Sequence, residues 1–126
     1  MSVDSWQPVN KLDQISDEQL ARLLTISEGQ PQECDLTSDL NWIQPLAQVE
    51  GKIWRQVASE LTPDQLKQLI ALFTQAEQQG GWSLGEQSAV IPLFKILRKQ
   101  QGVDRELVKW VKAHRENKFL PFGPLL

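Results

Sequence analysis

The residues with the chemistry for catalysis are few in this 126-residue sequence, which has one cysteine, Cys34, and one histidine, His114. A nucleophilic mechanism wants a thiol or hydroxyl beside a base. Cys34 stands between Glu33 and Asp35, whose negative charges disfavour the thiolate. His114 lies eighty positions further on, so a Cys34–His114 dyad would depend wholly on the fold. One His and one Cys also fall short of a zinc site. Asp35 and Asp39 could meet a hard cation, but no EF-hand or phosphate-loop spacing surrounds them. An enzyme would need Glu50 or His114 in a cleft, and no constellation around either supports that role. The expectation is a non-enzymatic protein with no catalytic residue, metal site or cofactor.

Binding is the better-supported kind of chemistry. Residues 1–94 hold 5 basic and 13 acidic residues, a net of −8, whereas residues 95–118 hold 8 basic and 3 acidic, a net of +5. Lys95, Arg98, Lys99, Arg105, Lys109, Lys112, Arg115 and Lys118 could face phosphates or an acidic protein surface. No helix-turn-helix pattern leads into them, and the pI is near 5.1, so a solvated face or a protein partner ranks above nucleic acid. A second candidate pairs the glycine-rich loop around Trp82 with the segment Lys118–Leu126, which carries Phe119 and Phe122. Aromatic groups beside Gly or Pro make a stiff apolar surface at small entropic cost. That surface either seals the core or forms a partner-binding strip, a swapped homodimer tail included. The partner-binding candidates are therefore Trp82, Lys109, Lys112, Arg115, Phe119 and Phe122.

These residues need helices to position them. Gln, Leu, Ala, Glu and Lys dominate and β-branched runs are nearly absent, which points to an all-α fold. The clearest helix is built on Leu61–Gly81. Thr62 caps, Pro63 opens the first turn, Gln65 closes a capping box, Leu61 and Leu66 form a staple, and Gly80-Gly81 ends it. Leu66, Leu69, Ile70, Leu72, Phe73 and Ala76 fall on an apolar arc of roughly 160°, wider than one neighbour requires. The spacing thus predicts a central helix packed on two or more others.

The same grammar opens the chain's first helix, where Ser16 is cap, Gln19 closes the box and Ile15–Leu20 is the staple. Leu20, Leu23, Leu24 and Ile26 match Leu66, Leu69, Ile70 and Leu72 at an offset of 46 residues. Shared capping rules explain this more economically than duplication. Thr37-Ser38-Asp39 offers caps. Pro45 either follows a short turn at 39–43 and opens a helix over 45–60, the favoured reading, or kinks one longer helix, with Leu46, Val49, Ile53 and Val57 as the stripe. In that reading Gly51 sits mid-helix, which fits close approach of another helix and simple tolerance equally well. Ser88 caps a fourth helix, largely apolar and therefore buried. Asp104 caps a fifth, with Leu107, Trp110, Val111 and His114 on one face.

The expected architecture is a single compact five-helix bundle with spans 16–28, 45–60, 62–79, 88–101 and 104–116. Residues 1–14 form an N-terminal arm and 118–126 an apolar extended C-terminal tail. One domain suits this length. The first ten residues lack a signal peptide's basic start, and no apolar run approaches about 18 residues. With no internal disulfide available to Cys34, the expectation is a soluble, cytoplasmic protein without a membrane segment. Its expected role is protein interaction or regulation, possible homodimer formation included, with a nucleic-acid-associated factor using residues 95–118 as the alternative.

Overall fold

The computed structural model describes residues 15–28, 36–81, 88–115 and 120, and within these all regular structure is helical. Among the described residues six helices follow one another: α1 (Asp17–Ile26), α2 (Leu40–Ala47), α3 (Gly51–Ala58), α4 (Pro63–Gly80), α5 (Val90–Gln101) and α6 (Arg105–His114). The all-α expectation holds, but the count of five does not. Where one helix over 45–60 was expected there are two, and Pro45 lies inside α2 rather than opening a helix. The proline ring cannot donate to the ladder and crowds the preceding turn, so α2 is short. It closes through tight i to i−3 bonds from Gln48 N–H to Pro45 O and Val49 N–H to Leu46 O, both 3.3 Å. Glu50 then turns extended as N-cap of α3, which makes Gly51 the first residue of a helix and not a mid-helix position.

Helix α4 is the axis of the molecule. It packs against α5, α6, α2 and α1, while α3 packs on α5. Its capping box is formed as the sequence predicts: Gln65 N–H donates to Thr62 Oγ1 and Thr62 N–H to Gln65 Oε1. The corresponding box of Ser16 and Gln19 starts α1. Gly81 ends α4 in the left-handed conformation, φ 69°, which a residue without Cβ adopts cheaply. From Leu69 to Glu77 every side chain of α4 is buried, so the helix is covered on all sides there. Thr74 and Gln75 meet this burial by donating back to Ile70 O and Ala71 O. Leu69, Ile70, Leu72 and Phe73 each contribute about 1.5–3 kcal/mol through burial.

One hydrophobic cluster runs through all six helices and takes in Leu36 and Leu120. Trp54 is at its heart, fully buried and edge-on to Phe73 at 5.2 Å and 74°. Its indole N–H donates to Leu46 O at 3.0 Å, which binds α3 to the end of α2. Side-chain bonds brace the periphery: Leu36 N–H reaches Gln79 Oε1, and Gln100 Nε2 reaches Leu61 O. Arg22 of α1 covers the ring of Trp42 at 4.1 Å. Asp39 is the N-cap of α2 but makes no capping bond, because its carboxylate accepts the Trp42 indole N–H instead. None of the described helices is long and apolar enough to cross a membrane.

Candidate functional site

Two separate grooves take in several of the basic residues: Lys67 and Lys109 line one, and Arg55, Lys95, Arg98 and Lys99 the other. The first lies on α6. Asp104 caps this helix by accepting Leu107 N–H at 3.1 Å, and its other oxygen meets Lys67 Nζ of α4 at 3.0 Å. The Leu107 amide holds the Asp104 carboxyl below its ordinary value of 3.8; burial opposes this, and Lys67 adds to the lowering. Leu107 and Val111 face inward and are buried. With that face fixed, Glu106, Lys109, Trp110, Ala113 and His114 border a groove of about 500 Å³ that reaches back to Lys67.

Trp110 and His114 stand one turn apart and their rings stack at 4.2 Å and 19°. His114 Nδ1 lies 2.8 Å from Trp110 O. A carbonyl oxygen can only accept, so Nδ1 carries the hydrogen and Nε2 points elsewhere. The stack leaves both rings half-buried, with apolar surface beside charges of both signs. The helical stripe of Leu107, Trp110, Val111 and His114 was visible in the sequence. The groove was not, because it needs α4 alongside.

The second groove is formed by α3 and α5. Lys95, Arg98 and Lys99 come from one face of α5 at i, i+3 and i+4 spacing, Arg55 comes from α3, and Ile96 supplies apolar lining around about 360 Å³. Gly51 of α3 faces Pro92 of α5, and a Cβ built there would make only ordinary contacts, 3.9 Å from both Pro92 Cγ and Arg55 Nη1. Among the described residues the cleft has no carboxylate in its lining. The two grooves share no residue. Sequence inspection grouped residues 95–118 as one basic stretch and left Arg55 out, since no local signal ties α3 to α5.

The expected partner-binding residues are distributed unevenly. Lys109 borders the α6 groove, and Lys112 is exposed on the same helix. Arg115 donates from Nη1 to Leu120 O at 2.6 Å and so clamps the start of the C-terminal segment. Leu120, the one described residue of the expected tail, is buried in the core cluster. Trp82, Phe119 and Phe122 lie outside the described residues, as do Cys34, Asp35 and the arm over 1–14. Glu50 is exposed at the N-terminus of α3, and its side chain makes no capping bond.

One buried polar pair escaped the sequence reading. Ser88 donates its hydroxyl hydrogen to Glu77 Oε2 and accepts Val90 N–H at 3.2 Å. This ties the last turns of α4 to the first turn of α5, with both side chains almost wholly buried. Ser88 was expected to be the N-cap of a helix over 88–101, but α5 starts at Val90 and Ala89 holds the N-cap position without a side-chain cap bond; the carboxylate partner of Ser88 was not foreseen, since eleven positions separate the two. Being closed to solvent, the pair joins helices and presents no reactive group to a substrate. Among the described residues no group of three or more His, Cys, Asp or Glu side chains could hold a metal ion. Comparison of the chain with family models, curated proteins and solved structures finds no match.

Proposed function

We propose that this chain is a small non-enzymatic cytoplasmic interaction or regulatory protein that docks a protein partner on the outward face of α6. The observation that carries this reading is the half-buried Trp110–His114 stack set in a groove bordered by Lys109 and Ala113. Tryptophan in a partly enclosed apolar setting is the residue type that most often dominates binding energy at protein interfaces. Lys109 and Glu106 flank the apolar strip with opposite charges, which suits a protein surface of mixed charge with an apolar centre. A nucleic-acid backbone suits it less, because Glu106 and Asp104 line the same groove and would repel phosphates.

A photo-crosslinking side chain at Ala113, which is exposed, tests the proposal in cells. The expected result is one adduct of discrete mass, lost in a Trp110→Ala background and weakened by Lys109→Glu. An adduct of twice the chain's mass identifies a homodimer, and any other discrete mass a different protein. No adduct, or one indifferent to both substitutions, overturns the reading.

A further inference from the structure

We propose that the cleft between α3 and α5 is an anion site for a compound carrying adjacent phosphates, a function separate from docking on α6. Four cationic side chains, Arg55, Lys95, Arg98 and Lys99, converge on one cleft in a chain whose net charge is −3. Arg55, Lys95 and Lys99 form no ion pair with any described residue. Helix dipoles account for part of the clustering, since Arg98 and Lys99 lie in the last turn of α5 and Arg55 in the last turn of α3. Lys95 lies a turn earlier and gains nothing from this. Four positions before Lys99, it adds like-charge repulsion on the helix. Charge gathered against that repulsion is offset when an anion enters.

The composition of the cleft indicates which anion. Arginine presents a planar fork that matches phosphate oxygens in pairs, and lysine adds mobile point charges. Four cations are of the same order as the charge on a di- or triphosphate and exceed that on a monophosphate. The volume of about 360 Å³ falls at the small-ligand end of binding sites. Ile96 adds an apolar wall that a phosphate chain alone would not use but a nucleoside would touch. The shared chemistry is therefore a chain of phosphates, free or borne on a nucleoside.

Isothermal titration of the full chain at low salt with ADP and with inorganic tripolyphosphate tests this. Both should bind, with affinity falling as salt rises. Arg55→Gln with Lys95→Gln should weaken binding by about tenfold, and Lys95→Gln with Lys99→Gln should do the same if the first pair disturbs folding. Lys109→Gln with Lys112→Gln on α6 should leave it little changed. Tighter binding of ADP identifies a nucleotide and a role for Ile96, and equal binding identifies the phosphate chain alone. Three results overturn the proposal: binding of neither probe, equal loss in the cleft and α6 variants, or a preference for an oligothymidylate over both.

Discussion

Asp104 Oδ2 lies 3.0 Å from Lys67 Nζ, so one carboxylate both caps α6 and fastens it to α4. Its second oxygen takes the Leu107 amide hydrogen, which uses one of the donors that a helix start otherwise leaves unsatisfied. The ion pair is partly exposed and by itself contributes little. The cap is the larger effect, and it fixes the face on which Trp110 and His114 stand.

Asp104→Ala should therefore destabilise the protein by about 1 kcal/mol at neutral pH, and Lys67→Ala by less. The pH dependence has a definite sign. The folded-state carboxyl is held below its ordinary value of 3.8, so its contribution is complete above that value and is lost as pH falls through the lower folded-state value. Urea unfolding of wild type and Asp104→Ala should show a gap that is constant from neutral pH down to mildly acid solution and closes in strong acid. A gap that survives at the acid end would assign the effect to packing.

Trp54→Phe keeps most of the ring volume but removes the N–H that reaches Leu46 O. The loss should be about 1–3 kcal/mol, typical of a buried acceptor deprived of a partner, tempered because the Val49 amide also donates to that carbonyl. Trp54→Ala should cost about 3–5 kcal/mol through the cavity it leaves. Thermal unfolding distinguishes them: a Phe variant as stable as wild type would mean that the indole hydrogen bond adds nothing beyond packing.

The same bond shows where the sequence could be read and where it could not. Helices α1, α4 and α6 announce themselves by caps, and Ser16, Thr62 and Asp104 all accept the amide hydrogen three residues on. Capping acts within one turn, so it is visible in a local window. Pro45 and Gly51 misled because their meaning is set from outside that window. The shortened α2 fits because Trp54 answers Leu46 O from the next helix, and Gly51 lies beside Pro92, forty-one positions away. The candidate sites follow the same division. The stripe on α6 was legible, whereas Arg55 joining Lys95, Arg98 and Lys99 required the α3–α5 contact.

Ser88 should prove more important to stability than its size suggests. It gives a hydrogen bond to buried Glu77 and takes one from Val90 N–H. Ser88→Ala removes both, at about 1–3 kcal/mol, and should open the start of α5 locally before the rest. Hydrogen exchange should accelerate at the amides of Val90, Ile91 and Leu93 more than at those of Leu69 to Phe73. Uniform acceleration would mean that the pair supports the whole fold, and none would mean that other partners of Glu77 suffice.

Two glycines should respond to the same substitution with opposite signs. Gly81 has φ 69°, and no atom lies within 4 Å of a Cβ built there, so Gly81→Ala meets a purely backbone penalty of about 1 kcal/mol. Gly51 is the first residue of α3 and is not among the described glycines with positive φ. Its Cβ would touch Pro92 Cγ and Arg55 Nη1 at 3.9 Å, an ordinary contact. Gly51→Ala loses nothing in the folded state and narrows the unfolded ensemble, so it should stabilise by about 0.4–1 kcal/mol. Had Gly51 been kept for close packing, one of the two readings of its expected mid-helix place, the added methyl would destabilise instead. Urea midpoints of the two variants decide the matter, because a drop in both would return Gly51 to the packing role and tighten the α3–α5 approach beyond what 3.9 Å contacts allow.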